Sequence, residues 1–374
     1  MRYVGIDLHK RSLTVCVIDR VSGETFARGF LCENQDEILE YFRNLGKFQA
    51  VVEASATYEW LWELLEPIAE RLVLAHPKKV RVIAESMAKT DKRDAYFLAW
   101  LLSHDSVPEA HRPTPRQREY QLLVRHRVFL VRQCAKAKVK IKHLFAARNL
   151  PCKGIFTQVK AATLAKKLPD AERFVVKELE AMLAALVARL DKAEKALRAF
   201  RKTAPEAEKI DHAIIESVPG AGVVTADVVL STVGDVRRFP SIKKVTSYSG
   251  LVPGIRISDN HGKRKELPIT KEGSRLLRSM LVQAAWRSIR ESSYWLRDFE
   301  RVARRRGRKK AIVAIARRLL GVIFTLLKKQ QGYVDQTARE VLSEANERKR
   351  SVPPATFQDE SPEQGEELST CGIK

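Results

Sequence analysis

The chain has 374 residues, enough for on the order of two or three domains with cores of their own. Lys and Arg number 68 against 45 Asp and Glu, a formal charge of +23, which points to a polyanionic partner, most often nucleic acid. No apolar run approaches the roughly eighteen residues of a membrane helix, MRYVGIDLHK lacks a signal-peptide pattern, and the scattered cysteines have no zinc-like spacing. A cytoplasmic protein with reduced thiols and no structural zinc is expected.

In chain order, YVGID, LTVCVID and TFARGFL alternate as a meander of three strands broken by HKRS and VSGE. NQDEILEYFRNLG has helical spacing, with Asn34 as N-cap and Gly46 closing the C-terminus. FQAVVEAS then reads as a strand, TYEWLWELLEPIAE as a helix and RLVLAHP as a further strand. Antiparallel strands first and helical crossovers later is the order of a ribonuclease-H-like (RuvC-like) sheet, so residues 1–112 are expected to form an α/β domain of that class.

After His111 the pattern is helical. Residues 116–148 carry ten Lys or Arg and one Glu, and a second long helix with heptad-like leucines follows Pro169. Residues 113–205 therefore read as a helical hairpin of coiled-coil type, with a basic face suited to a nucleic-acid backbone or to self-assembly. Residues 206–335 read as a mostly helical C-terminal domain, and the Pro-, Glu- and Ser-rich 347–374 as a disordered tail.

Chemistry concentrates in a few places. KTDKRDA sets Asp91 and Asp94 three residues apart, on one face of a helix. Asp7 ends the first strand and Glu53 the fourth, and these strands are neighbours in a ribonuclease-H-like sheet. Four acids gathered at one edge repel unless they share cations. Two Mg²⁺ ions, with Mn²⁺ as a substitute, are the usual solution in phosphodiester chemistry. Glu59 and Asp19 are the alternatives should one acid be misassigned.

SVPGAGV resembles a helix-hairpin-helix turn, in which Gly220 and Gly222 would open a helix N-terminus to a phosphate; an ordinary Gly-rich helix connection fits equally well. Residues 248–278 read as a polar loop between apolar brackets, with Ser258 close to Lys263 and Arg264. A hydroxyl near cations and metal is a possible nucleophile, although a surface serine is ordinarily inert. RRRGRKK, with Arg304, Arg305 and Arg306, is a second basic cluster for phosphate contacts.

GIDLHK, VVEAS, KTDKRDA, VPGAG, GDVRRFPS, YSGLVPG and ITKEGSRLLR follow one another in this order. Together they closely resemble the DEDD transposases of bacterial insertion sequences of the IS110 and IS1111 type, over about residues 1–330. The resemblance implies a RuvC-like domain whose acids are Asp7, Glu53, Asp91 and Asp94, a coiled coil that assembles protomers, and a C-terminal domain with a nucleophilic serine. That serine falls on Ser258. Asp259 stands where the family has Gly, and the loop before ITKEG is about two residues longer, which leaves Ser249 as the alternative. The implied activity is recombination of donor and target double-stranded DNA through a covalent phosphoserine, guided by a structured non-coding bridge RNA, by a homo-oligomer (dimer or tetramer). A junction-resolving endonuclease that uses metal-bound water, and a non-enzymatic nucleic-acid-binding protein, are the competing readings. An actin-like ATPase is excluded because HKRS lacks a glycine-rich phosphate loop.

Overall fold

The computed structural model describes residues 1–84, 90–156, 164–257 and 264–335, in two compact units that meet in sequence at Pro113 and Thr114. The first unit contains β1 (Arg2–Leu8), β2 (Ser12–Asp19), β3 (Thr25–Leu31), α1 (Gln35–Asn44), β4 (Phe48–Glu53), α2 (Glu59–Leu65), β5 (Arg71–Ala75), α3 (Pro77–Ala84) and α4 (Asp91–Ser103). Its five-stranded sheet has the order β3-β2-β1-β4-β5. Short turns make β1, β2 and β3 antiparallel, whereas helical crossovers make β4 and β5 parallel to β1. This mixed α/β arrangement is the one expected of a ribonuclease-H-like domain.

Period-two alternation divides the apolar residues between the two faces of the sheet. Val4, Ile6, Ala50, Val52 and Leu74 pack with Ile38 and Phe42 of α1 and with Leu61 and Leu65 of α2. Val51, Val73 and Ala75 pack with Val80 of α3 and with Phe97, Leu98 and Leu101 of α4. Gly5 shares this second face and explains how closely α4 approaches it. A Cβ at Gly5 would lie 2.0 Å from the Ala95 carbonyl oxygen and 2.4 Å from the Ala99 nitrogen. Gly5 with Ala95 and Ala99, both fully buried, therefore lets the helix backbone rest on β1. We expect Gly5→Ala to cost about 2 kcal/mol or more in urea unfolding, because backbone rather than a flexible side chain must move. Gly29→Ala, whose Cβ would meet nothing within 4 Å, should cost little.

The second unit contains α5 (Pro115–Ala147), α6 (Asp170–Lys202), α7 (Glu206–Glu216), α8 (Val223–Val233), a 3₁₀ turn (Val236–Arg238), α9 (Ile242–Tyr248), β6 (Pro253–Ile257), β7 (Arg264–Ile269), α10 (Arg275–Glu291), α11 (Ser293–Arg306) and α12 (Arg308–Lys329). The α5 and α6 helices have 33 residues each and pack against one another. Ion pairs Arg127–Glu194 (2.8 Å) and Arg148–Glu172 (2.5 Å) join them. Ile141, Phe145, Leu168 and Val176 form a small apolar cluster toward one end. At the other end Tyr120, Val124 and Leu197 enter the main core, built on α8, α10 and α12. The long helices and those after them thus form one compact unit.

A buried carboxylate ties this junction together. Asp227 of α8 accepts hydrogen bonds from Tyr120 of α5 (2.6 Å), Arg201 of α6 (2.8 and 2.9 Å) and His212 of α7 (3.1 Å). Burial alone would raise the Asp227 carboxyl, but the hydrogen bonds from His212 and Tyr120 and the Arg201 charge outweigh it and hold it below the ordinary range. A carboxyl depressed by folding stabilises the fold above its unfolded value of about 3.9, and that stability is lost as pH falls through the lower folded value. Asp227→Asn should cost about 3 kcal/mol at neutral pH by leaving Arg201 without its counter-charge, and should reduce the loss of stability on acidification below about pH 4. Chemical denaturation at pH 7 and pH 3 measures both effects.

Residues 248–278 are not a simple loop: β6 and β7 pair antiparallel, with Ile257 opposite Arg264. Apolar Ile255 and Ile257 in PGIRI and Leu267 and Ile269 in RKELPI recur with the period of a strand, a signal hidden by the abundance of polar residues. The YSGLVPG and ITKEG motifs close the base of this hairpin. A Cβ on Gly250 (φ +68°) would lie 1.9 Å from the Glu272 carbonyl, and one on Gly273 (φ +80°) 2.0 Å from that of Tyr248. Arg278 donates from one guanidinium nitrogen to the carbonyls of Ser249, Glu272 and Gly273 at 3.0–3.2 Å, locking the two segments together.

Candidate active site

Asp7 lies near the end of β1, opposite Thr14 of β2, and β1 pairs with β4 so that Ile6 faces Val52. Glu53 closes β4 at the same edge, one residue beyond that pair. Asp7 shares its sheet face with Gly5, the face against which α4 packs. Thr90 caps α4 by accepting a hydrogen bond from the Arg93 amide (3.3 Å), which places Asp91 and Asp94 in the first turn. The close approach at Gly5 brings this turn to Asp7.

Asp7, His9 and Asp91 form a group whose ligand atoms all lie within 4.8 Å of one another. His9 Nε2 is 3.1 Å from Asp7 Oδ2 and 3.5 Å from Asp91 Oδ1. Burial raises the Asp7 carboxyl above its ordinary range, and the charges of Asp94 and Asp91 add to this, with His9 offsetting part of the rise. Asp7 Oδ2 is buried, with His9 Nε2 as its near polar neighbour at 3.1 Å. A carboxylate so placed gains from a cation, which is the fit a divalent ion requires here.

The structure thus brings Asp7 and Asp91 together, puts Asp94 within electrostatic reach of Asp7, and sets Glu53 at the same sheet edge outside the tight group. His9 escaped the sequence reading. Its signal was the i, i+2 spacing from Asp7, which continues one strand face, but only the fold shows that Asp91 meets it from the other side. Neither alternative acid belongs here. Asp19 pairs with Arg2 at the opposite end of β1 (3.2 Å), and Glu59 is bound to Arg112 (2.6 Å).

The remaining candidates lie in the second unit. Ser258 and Lys263 are outside the described residues, and Arg264 begins β7. Ser249, the alternative nucleophile, is fully buried, and its hydroxyl donates to the Thr246 carbonyl at 2.7 Å. It is a packing residue. The Gly220 amide donates to Glu291 Oε2 at 2.6 Å and is engaged within the fold, whereas Gly222 is the N-cap of α8 with Arg287 nearby. Arg304, Arg305 and Arg306 form the exposed last turn of α11. Among the described residues no helix is long and apolar enough to cross a membrane.

Comparison with known proteins identifies the family. Residues 4–147 match the family model of IS110-type DEDD transposases, and residues 212–301 match the model described as the transposase IS116/IS110/IS902 family. The chain is 25% identical over 347 residues to the transposase for insertion sequence element IS1111A of Coxiella burnetii, covering 89% of this chain and 91% of that protein. It is 24% identical over 345 residues to a probable family 20 transposase of Pseudomonas aeruginosa, covering 88% and 98%. It is also 23% identical over 357 residues to a pilin gene-inverting protein of Moraxella bovis, covering 88% and 97%. The chain belongs to the IS110 family of DEDD transposases and is a DNA transposase or recombinase.

Proposed function

We propose that this enzyme cuts and rejoins DNA through a serine, with strands selected by a structured non-coding RNA. The observation that carries the reading is the convergence of Asp7, His9 and Asp91 at the edge of a ribonuclease-H-like sheet, in a chain of charge +23. Asp7, Glu53, Asp91 and Asp94 would hold divalent metal, Mg²⁺ in the simplest case and two ions if all four acids take part. Bound there, the metal supplies charge neutralisation for a phosphodiester under attack. Ser258 is the nucleophile. Its Oγ forms a bond to phosphorus, a backbone P–O ester bond breaks, the departing oxygen takes up a proton, and the serine proton passes to solvent. A hydroxyl from another strand then displaces the serine in reverse, so strands exchange without ATP. The fully engaged hydroxyl of Ser249 supports Ser258 over that alternative.

The other assignments follow from charge. The basic face of α5 and the Arg304, Arg305 and Arg306 cluster would contact phosphates, with Lys263 and Arg264 near the reacting strand and the α8 N-terminus at Gly222 as a further backbone contact. The α5–α6 pair would act as a coiled-coil assembly element, and the acid cluster of one protomer would work with Ser258 of another in a dimer or tetramer. Base pairing of the RNA would choose donor and target, with the protein reading backbone and shape. The test is recombination by the purified chain on donor and target duplexes, with Mg²⁺, with and without RNA transcribed from the sequence flanking the coding frame. Recombinant product that needs both Mg²⁺ and that RNA is expected. Equal product without RNA would remove the guide from the reading, and cleavage without rejoining would favour a metal-dependent nuclease.

A further inference from the structure

We propose that His9 supplies a nitrogen ligand to the divalent ion held by Asp7 and Asp91, and that this tilts the site toward Mn²⁺ over Mg²⁺. The inference rests on the metal-site reading above and adds a fifth side chain to it. His9 Nε2 stands 3.1 Å from Asp7 Oδ2 and 3.5 Å from Asp91 Oδ1. Ligands at about 2.1 Å on adjacent corners of an octahedron are themselves about 3 Å apart. The two distances from His9 Nε2 are therefore close to the spacing of neighbouring ligands, and all three ligand atoms lie within 4.8 Å of one another, in an arrangement an all-carboxylate site would not need.

The placement of His9 is fixed by the backbone. Its amide donates to the Ser12 carbonyl at 2.9 Å, closing the turn between β1 and β2 immediately beyond Leu8. Asp91 is fixed from the other side by the Thr90 cap and by the seating of α4 on Gly5. Asp7 Oδ2, buried and 3.1 Å from His9 Nε2, completes the group. A purely structural role for the ring is a poor account of this arrangement. Its side chain is 49% exposed, and an ion pair that open to water contributes little to folding.

Ligand chemistry turns this geometry into selectivity. Mg²⁺ is a hard ion held through oxygen and keeps its waters, whereas Mn²⁺ also favours oxygen but, as a softer transition-metal ion, gains more from an imidazole nitrogen, so a nitrogen in the ligand set favours Mn²⁺ over Mg²⁺. Asp7 and Asp91 alone would treat the two ions more evenly.

The experiment uses the full chain freed of metal, with MnCl₂ and MgCl₂ titrated separately by calorimetry into the native protein, His9→Ala and Asp7→Asn. Pulsed electron paramagnetic resonance of the Mn²⁺-loaded native protein and His9→Ala accompanies it. The native protein should bind Mn²⁺ more tightly than Mg²⁺ and show nitrogen modulation from a bound imidazole. His9→Ala should lose about tenfold or more in Mn²⁺ affinity, the scale set by loss of a group supporting a metal site, with a much smaller loss for Mg²⁺ and no nitrogen modulation. Asp7→Asn should weaken both ions. Bound Mn²⁺ without nitrogen modulation, or equal changes for the two ions in His9→Ala, overturns the assignment of His9 while leaving the acid site standing. Failure of the native protein to bind either ion overturns the metal site and His9 with it. Circular dichroism confirms that each variant is folded, which the exposure of the His9 ring favours.

Discussion

Asp7→Asn should abolish strand cleavage, by more than the roughly hundredfold that loss of an outer-shell partner costs a metal site, while the protein stays folded and still binds nucleic acid. Asp7 is the acid on which the site converges. It lies near the end of the central strand, its side chain is only 15% exposed, and it feels the charges of both Asp91 and Asp94. Removing its charge weakens any bound cation and at the same time relieves repulsion in the metal-free protein. Thermal unfolding in chelator should therefore show no loss of stability. Mobility-shift titrations should give an affinity close to that of the native chain, because phosphate contacts by Lys and Arg elsewhere dominate binding. Undiminished cleavage by Asp7→Asn in Mg²⁺ would remove the acid cluster from the mechanism. Asp94→Asn is the companion variant: a comparable loss would show that all of the first turn of α4 is needed, although only Asp91 joins the tight group.

Much of the first unit was legible in the sequence because its signals are local. Alternation in YVGID and LTVCVID, the turn residues between them and the short apolar run FQAVVE specify strands, and their order specifies the sheet. The acids were legible as strand-end and helix-start residues. What was not legible is contact across the sheet. Nothing near His9 announces Asp91, more than eighty positions away, and nothing near Gly5 announces the backbone of Ala95 and Ala99. In the second unit Asp227 looked like one polar residue in an apolar run, VVTADVVL; its value lies in three partners from three other helices. The β6–β7 pairing was masked by composition, since Arg256 in one strand and the consecutive Arg264, Lys265 and Glu266 in the other read as loop. The glycines of YSGLVPG and ITKEG were visible as family motifs. Their reason, mutual backbone contact at the base of the hairpin, required the fold.

That hairpin leads to the second large effect, Ser258→Ala, which should retain nucleic-acid binding yet form no covalent protein–DNA adduct and no recombinant product. An isolated serine hydroxyl titrates far above neutrality and is a poor nucleophile, so the reaction depends on what surrounds the developing alkoxide. Lys263 and Arg264 follow it closely in sequence, and metal held by the acid cluster would add to them in the assembled enzyme. The base of the hairpin is rigid, with Gly250 and Gly273 in backbone contact and Arg278 bridging the carbonyls on either side, so β6 and β7 are a firm mount for the segment that joins them. Covalent attachment conserves the phosphodiester bond energy, which is what separates strand exchange from hydrolysis. Denaturing gels of reactions stopped early, followed by peptide mapping of the trapped species, should place the DNA on Ser258 in the native protein and show no adduct in Ser258→Ala. An adduct that persists in Ser258→Ala and maps to Ser249 would require that buried residue at the C-terminal end of α9 to become exposed, and would move the nucleophile there. Recombination by the native protein with no adduct under any trapping condition would instead assign the attack to water or to a DNA hydroxyl, and the serine mechanism would fall.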